Sequence, residues 1–132
     1  MIQRLWIPGP LPGANELIAE AKGAGGTGAE YSRLKRSWTD TVCMVARAAR
    51  LRPLERAWFA FQWREKNRRR DPDNIAGGGR KLVFDGLILA KILAGDGWRV
   101  VIGWEDTFEV TDKPGVMVAL LDAAPVKVNH VP

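Results

Sequence analysis

The sequence predicts an α+β domain: a small mixed β-sheet of about four strands with two main helices, in the order β-α-β-α-β-β. Three observations predict it. Short segments rich in β-branched and aromatic residues are bounded by proline or glycine. One long segment, Glu30 to Leu51, repeats apolar residues at helical spacing. A second, Arg80 to Ala94, is apolar nearly all round. The 132 residues suit one domain, 1–132, with 122–132 as a loose C-terminal tail.

Ile2 to Ile7 reads as the first strand. Pro8, Pro10 and Pro12 end it, because proline brings no N–H to a ladder. Asn15 to Lys22 is compatible with a short helix or a loop. Gly23-Ala24-Gly25-Gly26-Thr27-Gly28 spells G-x-G-x-x-G, but a dinucleotide loop needs a strand just before it and an acidic residue closing a second strand. Neither is present, so the segment reads as a glycine-rich surface loop. In the first long helix Leu34, Trp38, Val42, Val45 and Ala49 form one apolar face. Arg33, Lys35, Arg36, Arg47 and Arg50 lie largely off it, as phosphate contacts or as solvated charge. Pro53 stops this helix. Leu54 to Trp63 reads as a strand bulky on both faces. The second helix, Arg80 to Ala94, follows Gly77-Gly78-Gly79, and its all-round apolar surface calls for a second subunit as cover. After the Gly95-Asp96-Gly97 turn, Trp98 to Trp104 is a strand that either turns at Glu105-Asp106-Thr107 or continues to Val110. Asp112-Lys113-Pro114-Gly115 turns, and Val116 to Leu121 is the last strand.

Composition narrows the function. Twenty Lys and Arg against fifteen Asp and Glu leave a net charge of +5, which favours an anionic partner, nucleic acid before membrane. Cys43 is the only cysteine and His130 the only histidine, so neither an internal disulfide nor a cysteine-rich zinc site is available, and acid–base or metal chemistry falls to carboxylates and lysines. No apolar run approaches the roughly 18 residues of a membrane span. The N-terminus lacks the apolar core of a signal peptide, so a cytoplasmic location is expected.

The chemistry concentrates after the second strand, in Arg64-Glu65-Lys66-Asn67-Arg68-Arg69-Arg70-Asp71-Pro72-Asp73-Asn74. A cationic run holds a polyanion. Paired aspartates can deliver a metal ion to it. Pro72 biases Asp71 toward extended backbone. In extended chain, residues i and i+2 point the same way about 6.5 Å apart, within reach of one divalent ion or a close pair. Hard Mg²⁺ takes such oxygen ligands and completes its shell with water and substrate phosphates. The competing reading is a turn in which Asn74 caps a helix. An EF-hand fits poorly, because Ile75 falls at a ligand position and Ala76 where glycine is needed. Lys81 and Asp85 share a helix face at i, i+4 and could simply pair, although Lys before Asp is the weaker orientation. Lys81 would sit in the first turn of a helix starting at Arg80, where a cation opposes the helix dipole. A lysine placed there points to a nearby ligand such as a phosphate. Asp96 follows Asp85 by eleven residues and could join Asp71 and Asp73 through strand pairing.

Asp71-x-Asp73-Asn74, Lys81-x-x-x-Asp85-Gly86-Leu87 and Asp96 together resemble the RusA family of Holliday junction resolvases. The preceding basic run and the early Pro-Gly-Pro-Leu-Pro-Gly-Ala-Asn15 segment extend the resemblance over roughly Ile2 to Leu121. Two features depart from the family. Six residues separate Asn74 from Lys81 where the family often has two, and Gly95 stands at the first position of the family's acidic pair.

The resemblance implies a small homodimeric Mg²⁺-dependent endonuclease, with Mn²⁺ as an alternative ion, of a kind common in prophages. It would nick two opposed strands of a four-way DNA junction. Asp71, Asp73 and Asp96 would bind the metal. Lys81 would neutralise charge developing on the phosphate or position it, and Asp85 would orient Lys81 or assist the metal. Arg64, Lys66, Arg68, Arg69 and Arg70 would hold the DNA backbone, helped by Arg80 and Asn74. Neither a nucleotide cofactor nor a membrane partner is expected. The alternative is a non-catalytic, structure-selective DNA-binding protein.

Overall fold

The computed structural model describes residues 1–21 and 29–126. Within them the order is β1 (Ile2–Pro8), α1 (Ala14–Ala21), α2 (Ala29–Ala48), β2 (Ala57–Glu65), α3 (Pro72–Leu89), β3 (Val101–Val110) and β4 (Gly115–Leu121). The architecture is the expected mixed α+β domain, with α1 as a short additional helix. The Gly23–Gly28 segment, His130 and the last six residues of the tail lie outside the described residues.

The four strands form one sheet in the order β1-β4-β2-β3. β4 runs antiparallel to both β1 and β2, while β2 and β3 are parallel and joined through α3. A parallel connection needs a crossover element, and α3 supplies it. Period-two alternation decides which side chains enter the core. Leu5 and Ile7 of β1, Phe59, Phe61 and Trp63 of β2, and Val116, Val118 and Leu120 of β4 are all buried. The three β2 rings stack along the strand with centroids 5.7 and 5.4 Å apart. Phe84 of α3 meets Phe59 and Phe61 edge-on at 5.1 and 5.9 Å.

α3 differs most from expectation. It begins at Pro72 rather than Arg80 and ends at Leu89 rather than Ala94. Gly77-Gly78-Gly79 is not a loop but two turns into the helix. Each helical glycine costs up to about 1 kcal/mol of intrinsic propensity, and close packing outweighs that cost here. A Cβ on Gly79 would collide with the Trp63 ring, and one on Gly78 would stand 2.6 Å from the Pro12 carbonyl oxygen. The missing side chains let α3 press onto β2 and the Pro12–Ala14 segment. At Gly86 the same device seats α3 against Val42 of α2.

The all-round apolar surface of α3 therefore has its cover within one chain. Ile75, Ala76, Leu82, Val83, Phe84 and Leu87 are buried by the chain's own elements, and Leu89 is left 47% exposed. The inference of a second subunit from that surface loses its footing. Among the described residues no helix is long and apolar enough to cross a membrane.

Candidate functional site

α3 carries most of the sequence-predicted residues. Asp71 is its N-cap, extended at φ −72° and ψ 151°, with Pro72 in the first turn. Proline is pre-shaped for that position, where its missing N–H goes unneeded. Asp73 is thus helical, and the picture of two aspartates projecting from one extended strand is corrected. The competing capping reading is nearer, although the cap is Asp71 rather than Asn74, and its side chain makes no capping hydrogen bond. The Asn74 side chain is used elsewhere: its Oδ1 accepts from the Asn15 backbone N–H at 2.7 Å, tying α1 to α3.

Asp71 and Asp73 are exposed. Neither forms an ion pair or a side-chain hydrogen bond among the described residues. They stand at the N-terminus of α3, beside the carboxyl ends of the parallel strands β2 and β3, which is where open α/β sheets commonly take ligands. A cleft of about 240 Å³ opens there, lined by Asn67, Arg68, Arg70, Asp71, Phe108 and Val110 among others.

A second cluster forms in mid-helix. Asn74, Lys81 and Asp85 lie seven and four residues apart, close to whole turns, so they share a face. Lys81 Nζ stands 2.8 Å from Asp96 Oδ2 and 3.2 Å from Asp85 Oδ1. Lys35 of α2 approaches the other Asp85 oxygen at 3.6 Å. The hydrogen bond from Lys81 holds the Asp96 carboxyl below its usual range. The Lys81 ammonium is pushed up, chiefly by Asp96 and then, against some desolvation, by Asp85. Lys81 is the tenth residue of α3, well past the first turn expected for it, and its two carboxylate partners account for its placement.

The structure brings Lys81, Asp85 and Asp96 together. It does not bring Asp96 to Asp71 and Asp73. Eight residues of helix separate Asp73 from Lys81, about 12 Å of axial rise. Among the described residues no group of three or more His, Cys, Asp or Glu side chains could hold a metal ion. Asp71 and Asp73 alone still present bare carboxylates of the kind that suits Mg²⁺, which commonly takes one or two carboxylates plus substrate phosphates.

The cationic run divides in two. Lys66, Arg68 and Arg69 are exposed and their side chains have no partner among the described residues. Arg70 instead clamps the fold, donating to Glu65 at 2.8 and 3.0 Å, to Glu16 at 2.8 Å and to the Leu11 carbonyl at 3.0 Å. Arg64 projects over Trp6 at 5.2 Å and pairs with Glu109 at 3.1 Å. Arg80 lies over Trp104 at 5.0 Å and pairs with Asp106 at 2.5 Å. Arg64, Arg70 and Arg80 are therefore already engaged within the chain.

Sequence reasoning missed Asp106, which accepts from Trp63 Nε1 at 2.8 Å as well as from Arg80. The signal was available in the alternation of Trp104, Asp106 and Phe108 on one face of β3. Lys35, the fourth member of the Lys81 cluster, had no such signal, because only tertiary packing of α2 on α3 brings it there. In comparisons with known proteins, no family model and no curated protein matches the chain.

Proposed function

We propose that the chain is a metal-assisted endonuclease of the RusA type that acts on four-way DNA junctions. The observation that carries the reading is the gathering of the candidate residues on one helix. Asp71 and Asp73 are bare at its N-terminus beside a cleft, and Lys81 is fixed further along by Asp85 and Asp96. The exposed Lys66, Arg68 and Arg69 flank the acidic end, supporting a backbone-holding role that carries little sequence preference.

Asp71 and Asp73 would hold Mg²⁺ or Mn²⁺. Such an ion, when bound, activates water and stabilises the leaving oxygen. The protein's own part is positioning. With a phosphodiester at Asp71 and Asp73, Lys81 meets the same strand at a neighbouring phosphate rather than at the scissile one. Asp85 and Asp96 hold its ammonium charged and oriented. Lys66, Arg68 and Arg69 take further phosphates and fix the strand. Two copies acting as a homodimer would match a two-fold symmetric junction and nick it twice. The reading carries a cytoplasmic location with it.

The test is incubation of the purified protein with a synthetic four-way junction, in Mg²⁺ and in EDTA. Paired nicks in Mg²⁺ alone are expected. Junction binding without cleavage in either buffer would replace this reading with a non-catalytic junction-binding protein.

A further inference from the structure

Trp98 is 97% exposed, more than any other large apolar side chain described. An indole left in water forgoes the burial energy that usually fixes tryptophan in a fold. Its loop stands clear of the body, since a Cβ on Gly95 or Gly97 would meet nothing within 4 Å. Asp96, two residues earlier, anchors the loop to α3 through Lys81. Trp98 is thus held out on a tethered stem.

It lines an open cleft of about 490 Å³ together with Phe84, Ile102 and Trp104. Trp104 is 46% exposed and carries the Arg80 guanidinium at 5.0 Å. Asp96 is the one charged residue in the lining of this cleft and pairs with Lys81, while Arg80 lies over Trp104 and pairs with Asp106. Two exposed indoles, one of them backed by the Arg80 guanidinium, in a chain of net charge +5 suit a ligand with flat π-faces on an anionic backbone. Every nucleobase stacks on such a surface, and only an unpaired base can enter it.

We infer that Trp98 stacks on an unpaired base of a DNA strand, with Trp104 as the second wall of the site. The partner rests on the DNA reading above, but the stacking does not depend on cleavage. The alternative occupant is a second copy of this chain covering the apolar cleft.

Anisotropy titrations in EDTA, with a labelled oligothymidylate and a blunt duplex of equal length, test the inference on the wild type, Trp98→Ala and Trp98→Phe. Light scattering on each gives its mass. Trp98→Ala is expected to weaken oligothymidylate binding about tenfold. Duplex binding should stay within about twofold, Trp98→Phe should keep most of the affinity, and the mass should not change. The inference is overturned by equal losses on both DNAs, by no loss, by a wild type that does not bind oligothymidylate, or by a drop in mass on Trp98→Ala. A protein that cleaves junctions in Mg²⁺ but binds oligothymidylate equally well with and without the Trp98 indole sinks this inference alone. Stacking without any cleavage sinks only the nuclease reading.

Discussion

Lys81 Nζ and Asp96 Oδ2 meet at 2.8 Å across fifteen residues of sequence, closing the loop after α3 back onto the middle of that helix. The pH dependence of this contact follows from the direction of both shifts. The Asp96 carboxyl is lowered on folding, so its contribution is present above the unfolded value near 3.9 and is lost as pH falls through the folded one. The Lys81 ammonium is raised, so its contribution is present below about 10.4 and is lost as pH rises through the folded value. Asp96 is 42% exposed and Lys81 55%, which limits the pair to about 1 kcal/mol or less. Asp96→Asn should therefore lower stability slightly near pH 7. The gap to wild type should close both in acid, below the carboxylate range, and in strong base. Urea titrations across pH measure it; a gap that widens in acid contradicts the assignment.

The bare carboxylates at the head of α3 lead to a separation of binding from chemistry. Asp73→Asn should abolish junction cleavage while sparing junction binding, because Asp73 makes no contact that folding needs. Lys81→Ala should lower the cleavage rate more than affinity, since Lys81 is one cation among several that hold the strand. Gel-shift titration and single-turnover cleavage on the same preparations give both numbers. Full cleavage by Asp73→Asn would remove that residue from the site.

Strand positions were largely legible in the sequence because proline, glycine and period-two alternation act locally. The Lys81–Asp85 pair was legible too, through its i, i+4 spacing, whereas Asp96 was expected beside Asp71 and Asp73 and stands against Lys81 instead. The start of α3 was not. Gly77-Gly78-Gly79 has the local signature of a breaker, and only the Trp63 ring and the Pro12 carbonyl, both distant in sequence, explain why glycine is needed inside a helix. Nor could sequence separate Arg70 from Arg68. The difference lies in Glu16, Glu65 and the Leu11 carbonyl, which tertiary structure delivers to one of them.

That difference is testable. Arg70→Ala removes a half-buried guanidinium and leaves Glu65, whose side chain is 13% exposed, without its cation. A loss of about 1–3 kcal/mol in stability is expected. Arg68→Ala should leave stability unchanged, weaken DNA binding, and reduce the slope of log affinity against log salt by about 1. Thermal melts and salt-dependent titrations separate the two. Matching melts for both variants would contradict the clamp assigned to Arg70.

The three consecutive glycines of α3 make opposite demands on a methyl group. At Gly77 a Cβ would meet only the Ala14 Cβ, at an ordinary 3.6 Å. Gly77→Ala should thus gain helix propensity with no clash, stabilising by up to about 1 kcal/mol. At Gly79 the same methyl enters the Trp63 ring, which is itself 2% exposed and fixed by its hydrogen bond to Asp106. The ring cannot retreat without breaking that bond or the stack with Phe61. Overpacking of this kind costs about 1–3 kcal/mol, which exceeds the propensity gain, so Gly79→Ala should be net destabilising. Denaturant melts of the two variants side by side decide the matter. If 77–79 were a loop, neither substitution would gain from helix propensity and the Gly79 methyl would meet no ring. The opposite signs arise only if α3 runs unbroken from Pro72 and lies directly against β2.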